Sequence, residues 1–296
     1  MGKIFIHIGL PKTATTSLQS QYFPALDQKK IKYLGVFQPR SGQETTGYRV
    51  IVDAIYSGDT ENATKWLKEN LNGSCAVLLS EECILVSDST KDWRCKLENL
   101  GVLLEGLDYE LLVTVRDPVG AIFSYYIELY KSFSKERKSF LDLAMFDPRM
   151  EIYHYSKLFS EIEKHFESRR VFVKKFEEIK RGDVEDLGRF LAEATPEFGE
   201  LNNHNSRREE DARIFTGKAF TVKDFIVGIL KTLGVSNATT PKWIKSILHP
   251  LLNLFDIFKL QQISVPLLTD EEKKALNCYL EEDKEFLRSS YGVDYE

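Results

Sequence analysis

The chain has 296 residues, of which 43% are hydrophobic and 12% aromatic, enough apolar content to bury a full core as one large domain or two small ones. Its 40 lysines and arginines against 45 acidic residues leave a formal charge of −5, which argues against nucleic-acid binding through bulk electrostatics while allowing a local basic pocket. The four cysteines, Cys75, Cys83, Cys95 and Cys278, form neither a CxxC pair nor a disulfide-dense pattern, so reduced thiols are expected and no zinc site is suggested.

The apolar stretch after Lys3 stops at Pro11 and Lys12, too short for a signal-peptide core or a membrane span. Ile6 stands where a myristoylation signal needs Ser or Thr. A soluble, cytoplasmic protein is expected. Apolar runs of strand length then recur between helical patterns: "KIFIHIG" (3–9), "IKYLGVF" (31–37), "CAVLLS" (75–80), "YELLVTV" (109–115) and "RVFVKK" (170–175). Several are apolar on both faces, as in a sheet covered on both sides. Helices are predicted over 60–71, 121–133 and 151–168, the last with apolar residues three and four apart. The pattern is α/β with a mostly parallel central sheet.

After about residue 210 the strand signals stop. Residues 217–263 carry six lysines (Lys218, Lys223, Lys231, Lys242, Lys245, Lys259) against Asp224 and Asp256, interleaved with Phe, Ile, Leu and Trp243. This segment is read as a helical cap or insert in a single domain spanning 1–296, with a peripheral contact to an anionic membrane surface as the alternative. A final helix is signalled by Thr269 as cap, Glu272 completing a capping box, and "LNCYLEEDKEFL" beyond.

The stretch "HIGLPKTATTSLQ" (7–19) runs from the first strand through a tight turn into a helix. Such a turn aims free backbone N–H groups and the helix dipole at an anion. Lys12 adds a full positive charge, and Thr13, Thr15, Thr16 and Ser17 add hydroxyls. This is not a Walker A loop, because Lys12 comes three residues after Gly9 and the later glycine is absent. The competing reading is an ordinary threonine-rich turn. Further on, "LLVTVRDPVGAIFSYY" (111–126) places Arg116 at a strand end and Ser124 eight residues later in the next helix. Arg offers a planar fork of donors to phosphate oxygens, and a serine hydroxyl can complete the cradle. Here the competing reading is an Arg116–Asp117 pair with Ser124 on a helix surface.

The first motif, P-K-T-x-T-T-S-L at Pro11 to Leu18, resembles the 5′-phosphosulfate loop of sulfotransferases that use 3′-phosphoadenosine 5′-phosphosulfate (PAPS). Many members carry glycine where this chain has Ala14, so a positive φ there would be costly. The second motif is similar to the 3′-phosphate site of the same family, and the order of the two agrees. "VFVKKFEEI", "NNHNSRR" (202–208) and the terminal "LTDEEKKALNCYLEEDKEFLRSSYGVD" are weaker echoes. The resemblance spans roughly residues 3–210 plus the end, and includes a likeness to bacterial carbohydrate-type members. It implies a three-layer α/β sandwich of P-loop NTPase-like type with a helical C-terminal part. It also implies a donor site made of Pro11, Lys12, Thr13, Ala14, Thr15, Thr16, Ser17, Arg116, Ser124 and Arg207.

Sulfuryl transfer needs an in-line acceptor hydroxyl, charge stabilisation on the departing phosphate oxygen and a base for the acceptor proton. Lys12 suits the departing oxygen. A metal is less necessary than in phosphoryl transfer, and none is expected. Glu82 in "LLSEECIL" is the preferred base, since it follows a strand whose carboxyl end faces the ligand crevice of an open sheet and related members show S-x-E, aligning Ser80 and Glu82. Glu81 and His204 remain alternatives, whereas His7, inside the first strand, reads as a satisfied core residue. Two other function classes stay open: a P-loop kinase or NTPase, and a non-catalytic nucleotide-binding module. The acceptor is expected to be a hydroxyl, of a sugar or glycolipid by the resemblance, recognised by loops such as 38–49 and the 217–263 segment.

Overall fold

Runs apolar at every position demand burial on both faces, and the computed structural model places them at the centre of a five-stranded parallel sheet. The strands are β1 (Ile4–Gly9), β2 (Ile31–Tyr33), β3 (Ala76–Ser80), β4 (Tyr109–Val115) and β5 (Val171–Lys175), in the order β2-β3-β1-β4-β5. The structure describes residues 2–35, 47–71, 75–88, 90–134, 136, 138–191, 208–210, 213–221, 226 and 259–295. Strand β2 is shorter than the 31–37 run because Gly35 turns the chain at φ 76°, a conformation no strand continues.

The helices are α1 (Thr15–Ser17) and α2 (Phe23–Ala25), joined by a π-type turn Leu18–Tyr22, then α3 (Gly47–Ser57), α4 (Glu61–Asn70), α5 (Trp93–Leu104), α6 (Pro118–Phe133), α7 (Phe140–Phe146), α8 (Tyr155–His165), α9 (Phe176–Arg181) and α10 (Glu185–Phe190). Helices α5 and α7 were not foreseen, though both carry side-chain caps: Asp92 accepts from the Arg94 amide, and Ser139 accepts from that of Asp142. On one face of the sheet Phe5, Leu78 and Leu112 pack with Leu18, Tyr22 and Phe23, and with Ile179, Leu187 and Leu191. Ile4, Ile6 and Ile8, which alternate to the opposite face, are fully buried as well. This is the expected three-layer α/β arrangement.

The C-terminal helical part is α11 (Asp270–Tyr279) and α12 (Glu281–Tyr291). The single final helix predicted from the capping box is thus two helices, broken at buried Leu280. Helix α12 docks on α8: Phe159 meets Phe286 and Tyr291 with ring centroids 5.9 and 4.5 Å apart, and Asp283 accepts from the Ser156 amide and hydroxyl, both at 2.7 Å. Asp283 therefore caps the start of α8 from a distant part of the chain.

The chain forms two compact units, one of Met1–Tyr125, Lys138–Asn202 and Asp270–Glu296, the other of Tyr126–Arg137 with Asn203–Thr269. Described by itself, the second holds an antiparallel sheet of β6 (Arg208–Glu210), β7 (Arg213–Thr221) and β8 (Lys259–Pro266). Strand signals therefore do not stop at 210. Gly217 and the run Lys259–Gln262 hide them in the sequence, because such residues are depleted in strands and the pairing is between segments far apart in the chain. Both flanks of the 217–263 segment are strand; its interior, except residue 226, lies outside the described residues, as does most of 38–49.

What positions the site is the sheet order. The chain leaves β1 on one side toward β2 and β3 and returns on the other to β4, so the carboxyl end of β1 is a switch point where open α/β sheets form a crevice. The last residue of that strand is Gly9, where a β-carbon would lie 2.0 Å from Thr15 Oγ1. Gly9→Ala is expected to lower stability by about 2–3 kcal/mol, an overpacking effect, measurable by denaturant titration; an unchanged midpoint would show that the strand-to-helix contact is not tight.

Candidate functional site

The loop between β1 and α1 has two non-glycine residues in the left-handed region, Lys12 at φ 71° and Ala14 at φ 63°. Each costs about 1 kcal/mol that surrounding contacts must offset. The positive φ foreseen as costly at Ala14 is therefore present, and the Ala14 methyl packs on the core cluster beneath. Two hydroxyls fasten the loop from elsewhere: Tyr153 donates to the Pro11 carbonyl at 2.8 Å, and Thr13 donates to the Leu10 carbonyl at 2.6 Å. The amides of Ser17 and Leu18 return to the Ala14 carbonyl at 2.9 and 3.1 Å. Among the described residues, those of Thr13, Ala14, Thr15 and Thr16 have no acceptor, which leaves consecutive N–H groups for an anion.

Not every hydroxyl of the loop faces outward. Thr13 is fully buried, and its Oγ1 also lies 2.7 Å from Thr114 Oγ1; Thr15 is buried with its Oγ1 3.4 Å from the Leu10 carbonyl. Thr16 is exposed and Ser17 half-buried. The side chains of Thr13 and Thr15 thus anchor the loop, and only their amides can serve a ligand.

Beneath the loop a buried polar chain crosses the three central strands. His7 Nε2 is 3.3 Å from Thr114 Oγ1 and Nδ1 is 2.7 Å from Ser80 Oγ, while Gln19 Nε2 donates to Ser80 Oγ and to the Ser80 carbonyl, both at 3.1 Å. Each hydroxyl has one proton, so the Leu10 carbonyl fixes every direction. Thr13 spends its proton there and accepts from Thr114. Thr114 in turn accepts from His7 Nε2–H, and His7 Nδ1 accepts from Ser80. Burial lowers the His7 pKa to about 3, which holds the ring in this neutral form. His7 is the satisfied core residue expected.

Arg116 follows β4 directly. Its Nη1 makes a long contact, 3.5 Å, with the Lys12 carbonyl, and its guanidinium lies over the Phe176 ring at 4.7 Å. Among the described residues it has no carboxylate partner. Asp117 instead caps α6, accepting from the Gly120 amide at 2.7 Å with Pro118 at the first helical position. The Arg116–Asp117 pair considered above is not formed. A β-carbon at Gly120 would lie 3.7 Å from Arg116 Nε and Nη2. Ser124 stands one turn further on that face, half-buried and without a hydrogen-bond partner among the described residues.

At the carboxyl end of β3, Glu81 is buried and both its oxygens are engaged: Tyr48 donates to Oε2 and the Cys83 amide to Oε1 at 2.8 Å. Glu82, half-buried, begins the short 3-10 turn Cys83–Leu85. Lys96, itself buried, holds this turn through the Cys83 and Val86 carbonyls at 3.2 and 2.6 Å and Asp88 at 2.9 Å. Three motifs thus end three adjacent strands within one unit: Pro11–Ser17 after β1, Glu82 after β3 and Arg116 after β4. Arg207 and His204 lie outside the described residues. Sequence reasoning missed Gln19, Tyr48, Lys96, Tyr153 and Tyr155; only the Y-x-Y spacing of the last two at a helix start was a visible signal.

No protein-family model and no curated protein sequence matches the chain. Among solved structures, it is similar to a sulfotransferase from Alicyclobacillus acidocaldarius, at 19% identity over 68% of this chain and 86% of that one, with a TM-score of 0.41. It is also similar to mouse sulfotransferase SULT7A1 complexed with PAP, at 12% identity over 95% of this chain and 89% of that one, with a TM-score of 0.37. Among the described residues no helix is long and apolar enough to cross a membrane, and no group of three His, Cys, Asp or Glu could hold a metal ion.

The buried histidine sets a pH dependence. The unfolded chain binds a proton at His7 below its usual pKa of 6.5, and the native state refuses it until about 3, so stability falls as pH drops through that window. The loss from this residue between pH 7 and pH 5 is expected to be about 2 kcal/mol. Burial lowers His154 in the same direction. Denaturant titrations at both pH values should show His7→Gln to be less stable at pH 7 but with a shallower acid slope; an identical slope would contradict the neutral, buried assignment.

Proposed function

We propose that the chain is a PAPS-dependent sulfotransferase that moves the sulfuryl group to a hydroxyl of a carbohydrate or glycolipid. The observation that carries this reading is the arginine at the end of β4, held beside the Lys12 loop without a carboxylate partner among the described residues. A guanidinium with no carboxylate partner among the described residues suits an anion from outside. A nucleotide with phosphates at both its 5′ and 3′ positions supplies one for the loop and one for Arg116.

The donor provides an activated sulfuryl group whose sulfur–oxygen bond to the phosphate breaks as the acceptor oxygen bonds to sulfur. The amides of Thr13–Thr16, with the hydroxyls of Thr16 and Ser17, bind the 5′ side. Lys12 stabilises the electron pair left on the phosphate oxygen. Arg116 and Ser124 hold the 3′-phosphate. Glu82 takes the acceptor proton; the inward bonding of both Glu81 oxygens supports Glu82 over its neighbour. The choice of a sugar or glycolipid acceptor rests on the chain's resemblance to bacterial carbohydrate-type members.

Radiolabelled sulfuryl transfer to a panel of sugar acceptors tests these roles. Lys12→Ala should lower kcat by about 10²–10³-fold while bisphosphate product binds within about tenfold of normal; near-normal turnover would remove the assigned role. Glu82→Gln should cut turnover by about 10²-fold with donor affinity little changed, and Glu81→Gln should be milder. The reverse order would move the base to Glu81. Arg116→Ala should cost about ten- to hundredfold in the preference for PAPS over adenosine 5′-phosphosulfate, and a preference that survives the change would place the 3′-phosphate elsewhere.

A further inference from the structure

The two phosphate-binding segments are 104 residues apart in sequence and meet through the long Arg116–Lys12 contact and, deeper in the core, through the Thr13–Thr114 hydrogen bond at 2.7 Å. Both are also fastened to one short stretch of chain. Tyr153, in the 3-10 turn Glu151–Tyr153, donates its hydroxyl proton to the Pro11 carbonyl at 2.8 Å. Tyr155, two residues on at the first position of α8, donates to the Arg116 carbonyl at 2.6 Å and accepts from the Arg116 amide at 3.1 Å. Neither side chain has any exposure. Burial raises the Tyr155 phenol well above its usual range, so it keeps the proton that it donates.

The geometry is selective. A tyrosine that grips both the N–H and the C=O of one residue fixes that residue's peptide planes, and with them the direction in which its side chain leaves the backbone. At Arg116 that direction sends the guanidinium across Phe176 toward Gly120. The stretch is itself immobilised: Asp283 of α12 caps it through Ser156, and His154 between the tyrosines is buried with Nε2 3.1 Å from the Ala144 carbonyl.

We infer that Tyr153 and Tyr155 are positioning residues that set the distance and angle between the two phosphate subsites, Tyr153 acting on the 5′ side through Pro11 and Tyr155 on the 3′ side through Arg116. This rests on the donor reading proposed above. Neither hydroxyl meets the nucleotide, and each acts through a backbone group of the residue that it holds. Outer contacts of this kind orient the groups that bind.

The test measures affinity for adenosine 3′,5′-bisphosphate and for adenosine 5′-phosphate by calorimetry, with thermal unfolding alongside. In the unmodified protein the bisphosphate should bind at least about tenfold tighter; if it does not, the donor reading fails and this inference falls with it. Given that preference, Tyr155→Phe should reduce it about three- to tenfold while 5′-phosphate affinity stays within about twofold. Tyr153→Phe should weaken both nucleotides by a similar factor and leave the preference intact. A merely structural role would move both ligands together in both variants. A preference unchanged by Tyr155→Phe, or equally changed by both variants, overturns the inference and leaves the donor reading standing. Should Tyr155→Phe not fold, Asp283→Asn loosens the start of α8 with both hydroxyls kept. It should weaken both nucleotides and lower the preference by about twofold; unaltered binding of both would overturn the inference.

Discussion

The left-handed backbone at Lys12 and Ala14 is the constraint on which the rest of the site depends. It turns a run of amides away from their own helix, and it is costly without glycine, so the surrounding structure must hold it. It does so from below and from the side. Below, Thr13 commits its only hydroxyl proton to the Leu10 carbonyl, which sets the direction of a hydrogen-bonded chain reaching through Thr114, His7 and Ser80 to Gln19. From the side, Tyr153 holds Pro11. The core of the sheet and the shape of the loop are therefore coupled through polar groups as well as through apolar packing. Such a network stabilises a single geometry only when every member is satisfied, and here each described member is.

The coupling separates what builds the site from what is left open for a ligand. Hydroxyls that the sequence offers as donors to an anion, those of Thr13 and Thr15, are used by the fold. Charges that the sequence offers as partners are used as well: Asp117 caps α6 rather than neutralising Arg116, and Glu81 is tied to Tyr48 and the Cys83 amide. Toward the carboxyl ends of the strands, the amides of Thr13–Thr16 have no acceptor and Arg116 no carboxylate partner among the described residues, and under the proposed function these groups bind the anionic donor.

Much of this was legible in the chain. Apolar runs of strand length marked all five strands of the main sheet; the central ones are buried at most positions and need no alternation, whereas the edge strands β2 and β5 carry lysines and are only partly buried. Lys12 and Arg116 stood out because each follows such a run at a point where backbone amides or a helix start lie next. The choice between Glu81 and Glu82 was less accessible, because adjacent residues at a strand end differ only in direction, and direction depends on Tyr48 and Cys83. Tyr153 and Tyr155 act across more than a hundred residues on Pro11 and across 39 on Arg116, and no local pattern encodes such a contact. The strands β7 and β8 escaped for a similar reason, since their pairing joins segments far apart in the chain.

The central claim is that the crevice above β1 and β4 recognises a nucleotide by its 3′-phosphate. Calorimetric titration of the unmodified protein with adenosine 3′,5′-bisphosphate beside ATP tests it most directly. The account predicts binding of the bisphosphate at least about tenfold tighter than ATP, because ATP presents a neutral 3′-hydroxyl to Arg116. Equal affinity for the two, or tighter binding of ATP, would contradict it and return the loop after β1 to the wider class of anion-binding turns.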